Sequence, residues 1–148
     1  MRRFLILISC LVLSPAVFAA LGGDVHTITA DQARMRAQLR AAASNGYTVH
    51  ELQTAAGVAV REFVADNGKV FAIAWEGPNM PDLEQLLGAY FPEFNAAMST
   101  RRKAGIRGPV ALQHDDLIVE SNGRMRSFFG RAYVPSLLPP QVTPDEIQ

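Results

Sequence analysis

The chain has 148 residues, of which 49% are hydrophobic and 19% charged, with 14 basic residues balancing 14 acidic ones. That is enough apolar material for one domain with a real core, and it excludes a disordered chain. The even charge excludes a strongly basic nucleic-acid surface, and the single cysteine, Cys10, excludes an intrachain disulfide.

The N-terminus has three parts. Met1-Arg2-Arg3 is basic, Phe4 to Leu13 is apolar, and Val17-Phe18-Ala19 puts small residues at −3 and −1 of a cleavage point after Ala19. This is the pattern of an export signal over residues 1–19, and its apolar run is too short to remain as a transmembrane anchor. Leu7-Ile8-Ser9-Cys10 resembles a lipoprotein processing box, but cleavage there would leave too short an apolar core. Processing after Ala19 removes Arg2, Arg3 and Cys10 and leaves 12 basic against 14 acidic residues, a net charge of −2. The expected product is a periplasmic or secreted domain over residues 20–148, with no nucleic-acid partner and no membrane anchor.

Leu21-Gly22-Gly23 reads as a flexible lead-in. Thr29-Ala30-Asp31-Gln32 has the form of a capping box, and Asp31–Ser44 is rich in Ala, Arg, Gln and Leu, so a helix is expected there, stopped by Asn45-Gly46. Arg34, Arg36 and Arg40 then form a solvated helix face. Tyr47–Thr54 reads as a strand, and Val58–Ala65 and Lys69–Trp75 form a hairpin around Asn67-Gly68, a pair suited to a two-residue turn with positive φ. In that register Val64 faces Phe71, Glu62 faces Ile73 and Val60 faces Trp75. Apolar residues on both faces of Val70–Trp75 mark an interior strand covered on each side.

Gly77-Pro78 ends this strand, and Pro81 suits the first turn of the next helix. Leu83, Leu86, Leu87, Tyr90 and Phe91 give that helix an apolar face. Gly88 and Pro92 predict a break, with a second helical segment over Glu93–Lys103. The basic run Arg101-Arg102-Lys103, with Arg107, caps the helix end. Asp116–Ser121 and Arg124–Val134 read as strands joined by a turn at Asn122-Gly123. Prolines from Pro135 onward take the chain out of regular structure. The fold class that follows is α+β: an antiparallel sheet of about five strands, built as a meander, a helical crossover and a C-terminal hairpin, with helices covering one face.

Chemistry is sparse. There is no P-loop, no G-x-G-x-x-G, no G-x-S-x-G elbow and no HExxH. His114-Asp115-Asp116 is the nearest approach to a ligand cluster, but neighbouring strand residues point to opposite faces, so no metal or cofactor is assigned. Glu62 shares a face with Ile73 and Trp75, where burial would raise its pKa unless an arginine such as Arg126 or Arg131 paired with it. A lone carboxylate is not a catalytic set, so no catalytic residue is assigned. The stiff loop Gly77–Asp82, with two prolines, presents Asn79 and Met80 as an interaction rim for a partner.

Taken together, Leu21-Gly22-Gly23, Arg61-Glu62-Phe63, Val70–Trp75 with Gly77-Pro78, Met80-Pro81-Asp82-Leu83, Leu86-Leu87-Gly88 and Gly130–Pro135 are distinctive. With the export signal they resemble domain-of-unknown-function family 2844, a family of secreted proteobacterial proteins. The resemblance implies export and one shared domain fold over nearly the whole mature chain, and brings no catalytic residue with it. The functional expectation is an exported, non-catalytic binding or accessory protein acting on an envelope protein or a small ligand. The alternative is a small hydrolase-like enzyme using a carboxylate near Glu62.

Overall fold

The computed structural model describes residues 20–148; the export signal read over residues 1–19 lies outside them. Seven strands form one antiparallel sheet: β1 (Gln38–Ala43), β2 (Tyr47–Gln53), β3 (Ala59–Ala65), β4 (Val70–Gly77), β5 (Val110–His114), β6 (Leu117–Arg124) and β7 (Ser127–Tyr133). Their order is β1-β2-β3-β4-β7-β6-β5, so a four-stranded meander joins a three-stranded one through the β4–β7 pair. The helices are α1 (Ile28–Met35), α2 (Leu83–Leu87) and α3 (Phe91–Lys103). The α+β class, the helical crossover and the final hairpin are as expected; the sheet has two strands more than the five foreseen.

Both extra strands are edge strands. The segment read as a helix over Asp31–Ser44 is helical only to Met35. Arg36 takes a left-handed conformation (φ +49°), its N–H bonds Ala33 O and Ala37 N–H bonds Gln32 O, the paired bonds of a Schellman stop. Gln38–Ala43 then pairs with β2 along its whole length. Helix-forming residues thus lie in a strand because a ready sheet edge outweighs a weak local preference. Asn45-Gly46 is the turn of that hairpin rather than a helix stop, with Ser44 N–H bonded to Tyr47 O. At the other edge, β5 pairs with β6 around a turn at Asp115-Asp116, with Asp115 at φ +44°.

The β3–β4 hairpin departs from the expected register and then returns to it. Its loop has three residues: Ala65 N–H bonds Lys69 O, Gly68 N–H bonds Ala65 O, and Gly68 takes φ +81°. A type I turn followed by a left-handed glycine adds one residue to the loop. A bulge at Phe71 cancels the shift: Val64 pairs with Val70, Phe63 with Ala72, and from there Glu62 faces Ile73 and Val60 faces Trp75. The correction therefore concerns two residues. Val70 joins the face of Val60 and Trp75, while Phe71 turns to the other face, beside Phe63 and Tyr47. The β6–β7 turn is also displaced: Met125-Arg126 makes it, with Arg126 at φ +63°, and Asn122-Gly123 lies within β6. Gly123 is needed there because a Cβ would stand 2.5 Å from the Phe128 ring.

Each sheet face has its own cover. On the first, Val60, Ile73, Trp75, Val119 and Ala132 pack under Ile28 of α1, Leu86 and Leu87 of α2, and Phe94 of α3. Asp82 caps α2 by accepting from Gln85 N–H, which puts Pro81 just outside the helix rather than in its first turn. A 3-10 turn at Gly88–Tyr90 separates α2 from α3 at the expected break, and α3 begins at Phe91. Leu21 is not a loose lead-in: it is buried, its N–H bonds Leu86 O, and Gly22 and Gly23 exchange backbone bonds with Val70. On the second face, Tyr47, Phe63, Phe71, Ala72 and Tyr133 form a smaller core closed by Val142 and Ile147 of the proline-rich tail. The tail is a strap, fixed by the Arg131 guanidinium, which donates to Pro144 O at 2.6 Å and Ile147 O at 3.4 Å.

Candidate functional site

Strand alternation on β3 sends Arg61 and Glu62 to opposite faces, and each lies at the centre of a different polar arrangement. The pairings place Ala41, His50, Glu62, Ile73, Ala132, Val119 and Leu112 in one cross-strand row on the helix-covered face. Glu62 is fully buried there, and α1 brings Asp31, also fully buried, against it. Asp31 Oδ1 accepts from the Gln85 side chain at 2.5 Å. Burial and then the Asp31 charge push Glu62 up to about 8; burial also raises Asp31, outweighing the Gln85 hydrogen bond and the Arg34 charge that favour its ionised form. With both groups ionised, Glu62 Oε1 and Oε2 and Asp31 Oδ2 would have no hydrogen-bond donor. A proton on Glu62 relieves part of this, because the protonated carboxyl can donate to Asp31. With its pKa pushed up to about 8, Glu62 keeps its proton at neutral pH. His50, opposite Glu62 on β2, is held neutral by burial, which lowers its pKa.

The arginine pairing considered for Glu62 is not formed. Arg131 points to the second face and binds Glu120 Oε2 at 2.7 Å, and Arg61 binds Glu51 Oε2 at 3.2 Å. These residues belong to a charged row, Arg40–Glu51–Arg61–Ala74–Arg131–Glu120, directly below the core that the strap covers. The next row reads Gln38–Gln53–Ala59–Glu76–Phe129–Asn122, and its Phe129 is 50% exposed.

Over these two rows lies an open cavity of about 780 Å³. Arg61, Arg131, Glu76 and Glu120 supply its charged lining, Phe129 its exposed aromatic surface, and the strap residues Ile147 and Gln148 border it. Gly130 lies under it and makes room for Trp75 on the helix-covered side: a Cβ there would stand 2.5 Å from the Trp75 ring and 2.6 Å from Glu120 O. A second cavity, about 240 Å³, lies between the β2–β3 loop and the start of α2. Neither cavity reaches Glu62 or Asp31.

Asn79 and Met80 are both exposed on the β4–α2 loop, Met80 at 41%, and neither lines a cavity. His114 meets Glu93 and its own neighbour Asp115: Nδ1 lies 2.7 Å from Glu93 Oε1 and 3.6 Å from Asp115 Oδ2. Asp116 turns away and accepts from Ser136 N–H at 3.1 Å. The Glu93–His114–Asp115 group is an exposed clasp between α3 and the β5–β6 turn. Sequence reading singled out Glu62 but missed Asp31 as its partner, and missed the Arg61–Phe129 cavity. The two arginines and Phe129 come together only through the β3–β4–β7 pairing, and no local spacing signals it.

The architecture defines an α+β protein built on one mixed-cover antiparallel sheet: helices on one face, a strap and an open cavity on the other. The family model described as "Protein of unknown function (DUF2844)" matches residues 17–147, and the chain belongs to that family. No curated protein and no solved structure matches the chain. Among the described residues, no helix is long and apolar enough to cross a membrane.

Proposed function

We propose that the protein is an exported, non-catalytic binding protein of the periplasm or envelope, and that the cavity beside Arg61, Phe129 and Arg131 holds its ligand. The observation that carries this reading is the cavity itself. At about 780 Å³ it is of the size that encloses a small molecule, and it combines exposed aromatic surface with a few fixed polar groups. The hydrolase alternative gains a second carboxyl group in Asp31, yet both side chains are inaccessible to solvent and border neither cavity. A reacting bond must come within hydrogen-bond reach of its acid or base, so the pair supports a structural role better. Asn79 and Met80 remain the proposed contact for a protein partner, on an outlying rim.

The test is capture of small molecules from periplasmic extract by immobilised mature protein, read by mass spectrometry, with Phe129→Ala as control. Phe129 is half-exposed and outside both cores, so its loss should leave the fold intact. A compound retained by the native protein and lost by the variant supports the cavity. Equal capture by both, or none by either, rejects it.

A further inference from the structure

We infer that the cavity takes a neutral, polyhydroxylated ligand, a short run of neutral oligosaccharide with one sugar ring lying on the face of Phe129. This rests on the binding reading above and narrows it to a chemical class. Three observations point the same way.

The first is charge. Arg61 and Arg131 in the lining are balanced by Glu76 and Glu120. The cations are also engaged already: Arg61 with Glu51, Arg131 with Glu120 and with two strap carbonyls. An anionic ligand would have to displace these bonds, and an unpaired guanidinium awaiting an anion is what the site lacks. The second is the row order Glu76–Phe129–Asn122. Adjacent strands lie about 4.8 Å apart, so a carboxylate and an amide flank the half-exposed ring one strand away on either side. A pyranose presents an apolar C–H face and a rim of hydroxyls that both donate and accept. Its face suits an aromatic platform, and its rim suits planar polar groups beside that platform. The third is fixity. The Arg61–Glu51 and Arg131–Glu120 pairs are held by mutual bonds before any ligand arrives, which lowers the entropy lost on binding.

The experiment uses the mature protein with a printed array of neutral and acidic glycans, followed by calorimetric titration with maltotriose and chitotriose. Trp75, the sole tryptophan, borders the cavity and gives an emission readout. Binding of a neutral glycan is expected, weakened at least tenfold in Phe129→Ala and in Phe129→Leu, which keeps an apolar side chain but no flat face. Affinity should change less than threefold between 0.05 and 0.5 M salt, because no net charge is recognised. Strong salt dependence would mark a charged ligand and overturn the inference. So would an array with no neutral glycan bound. If the capture experiment still yields a Phe129-dependent compound of another class, the cavity remains the binding site and only the sugar assignment falls. If nothing Phe129-dependent is captured, both fall.

Discussion

Arg61 and Glu62 are neighbours on one strand, and the sheet treats their charges in opposite ways. Arg61 lies in a row where every charge has a counter-charge nearby and water within reach. Glu62 lies in a row that is apolar apart from His50, meets a second acid, and gives up its charge by keeping a proton. Exposed ion pairs contribute little to stability, about 0 to 1 kcal/mol, whereas a buried acid without its partner is heavily penalised. The visible charged ladder is therefore the weaker determinant of the fold, and the hidden acid pair the stronger one.

The largest test of that contrast is truncation. Glu62→Ala leaves a cavity and deprives Asp31 of its proton donor, so a loss of about 3 kcal/mol is expected in urea unfolding at pH 6. Arg61→Ala should lose less than about 1 kcal/mol in the same measurement. Equal losses would break the comparison.

Next in size is pH dependence. Glu62 titrates higher in the folded protein, at about 8, than its ordinary value of 4.5. Between those values the folded state binds the extra proton, so this contribution is complete below about pH 4.5, declines as pH rises, and is gone above pH 8. Asp31, also raised, acts in the same direction. Glu62→Gln keeps a donor for Asp31 and cannot ionise. It should gain about 1 to 3 kcal/mol at pH 8 relative to the native protein and flatten the curve between pH 5 and 8. A native curve that is already flat would show that the pair does not share a proton.

Gly130→Ala sharpens the contrast from the open side. Its added methyl meets the Trp75 ring and the Glu120 carbonyl, and the backbone atom cannot swing away. A loss of about 1 to 3 kcal/mol is expected, with a shift in Trp75 emission that reports its ring displaced in the helix-covered core. The smallest effect belongs to the rim: replacing Asn79 and Met80 together by Ser should leave the thermal midpoint unchanged within a degree or two, because both side chains are exposed.

The parts of the fold legible in sequence are those set by strong local patterns. Val70–Trp75 reads as interior because its apolar residues are continuous, and Glu62 finds Ile73 because two one-residue irregularities cancel. The break at Gly88 is fixed by Pro92. What stayed hidden depends on neighbours far along the chain. Gln38–Ala43 has helix-forming composition and becomes a strand only because β2 offers it an edge. Asn45-Gly46 carried the same turn signal as Asn67-Gly68, but a preceding helical composition turned its reading into a stop. Val110–His114 is short and half exposed, without clear alternation. Asp31 and Glu62 meet because α1 crosses the sheet, and nothing at either position announces the other.

The pairing of β4 with β7 has a consequence in time. The most apolar strand of the protein has a partner on one side within a few residues, but its other edge waits for Ser127–Tyr133, and its second face waits for Val142 and Ile147. A chain in which residues beyond Lys103 have not yet joined holds β4 as an open edge with Phe71 bare, the condition that invites pairing between molecules. Closure over such sequence distance is slow compared with hairpin formation. Refolding should therefore show a fast phase as the first meander forms and a slower one that buries Trp75, and the aggregated fraction should rise with protein concentration during that interval. Stopped-flow tryptophan emission with a single fast phase, independent of concentration, would contradict this order of assembly.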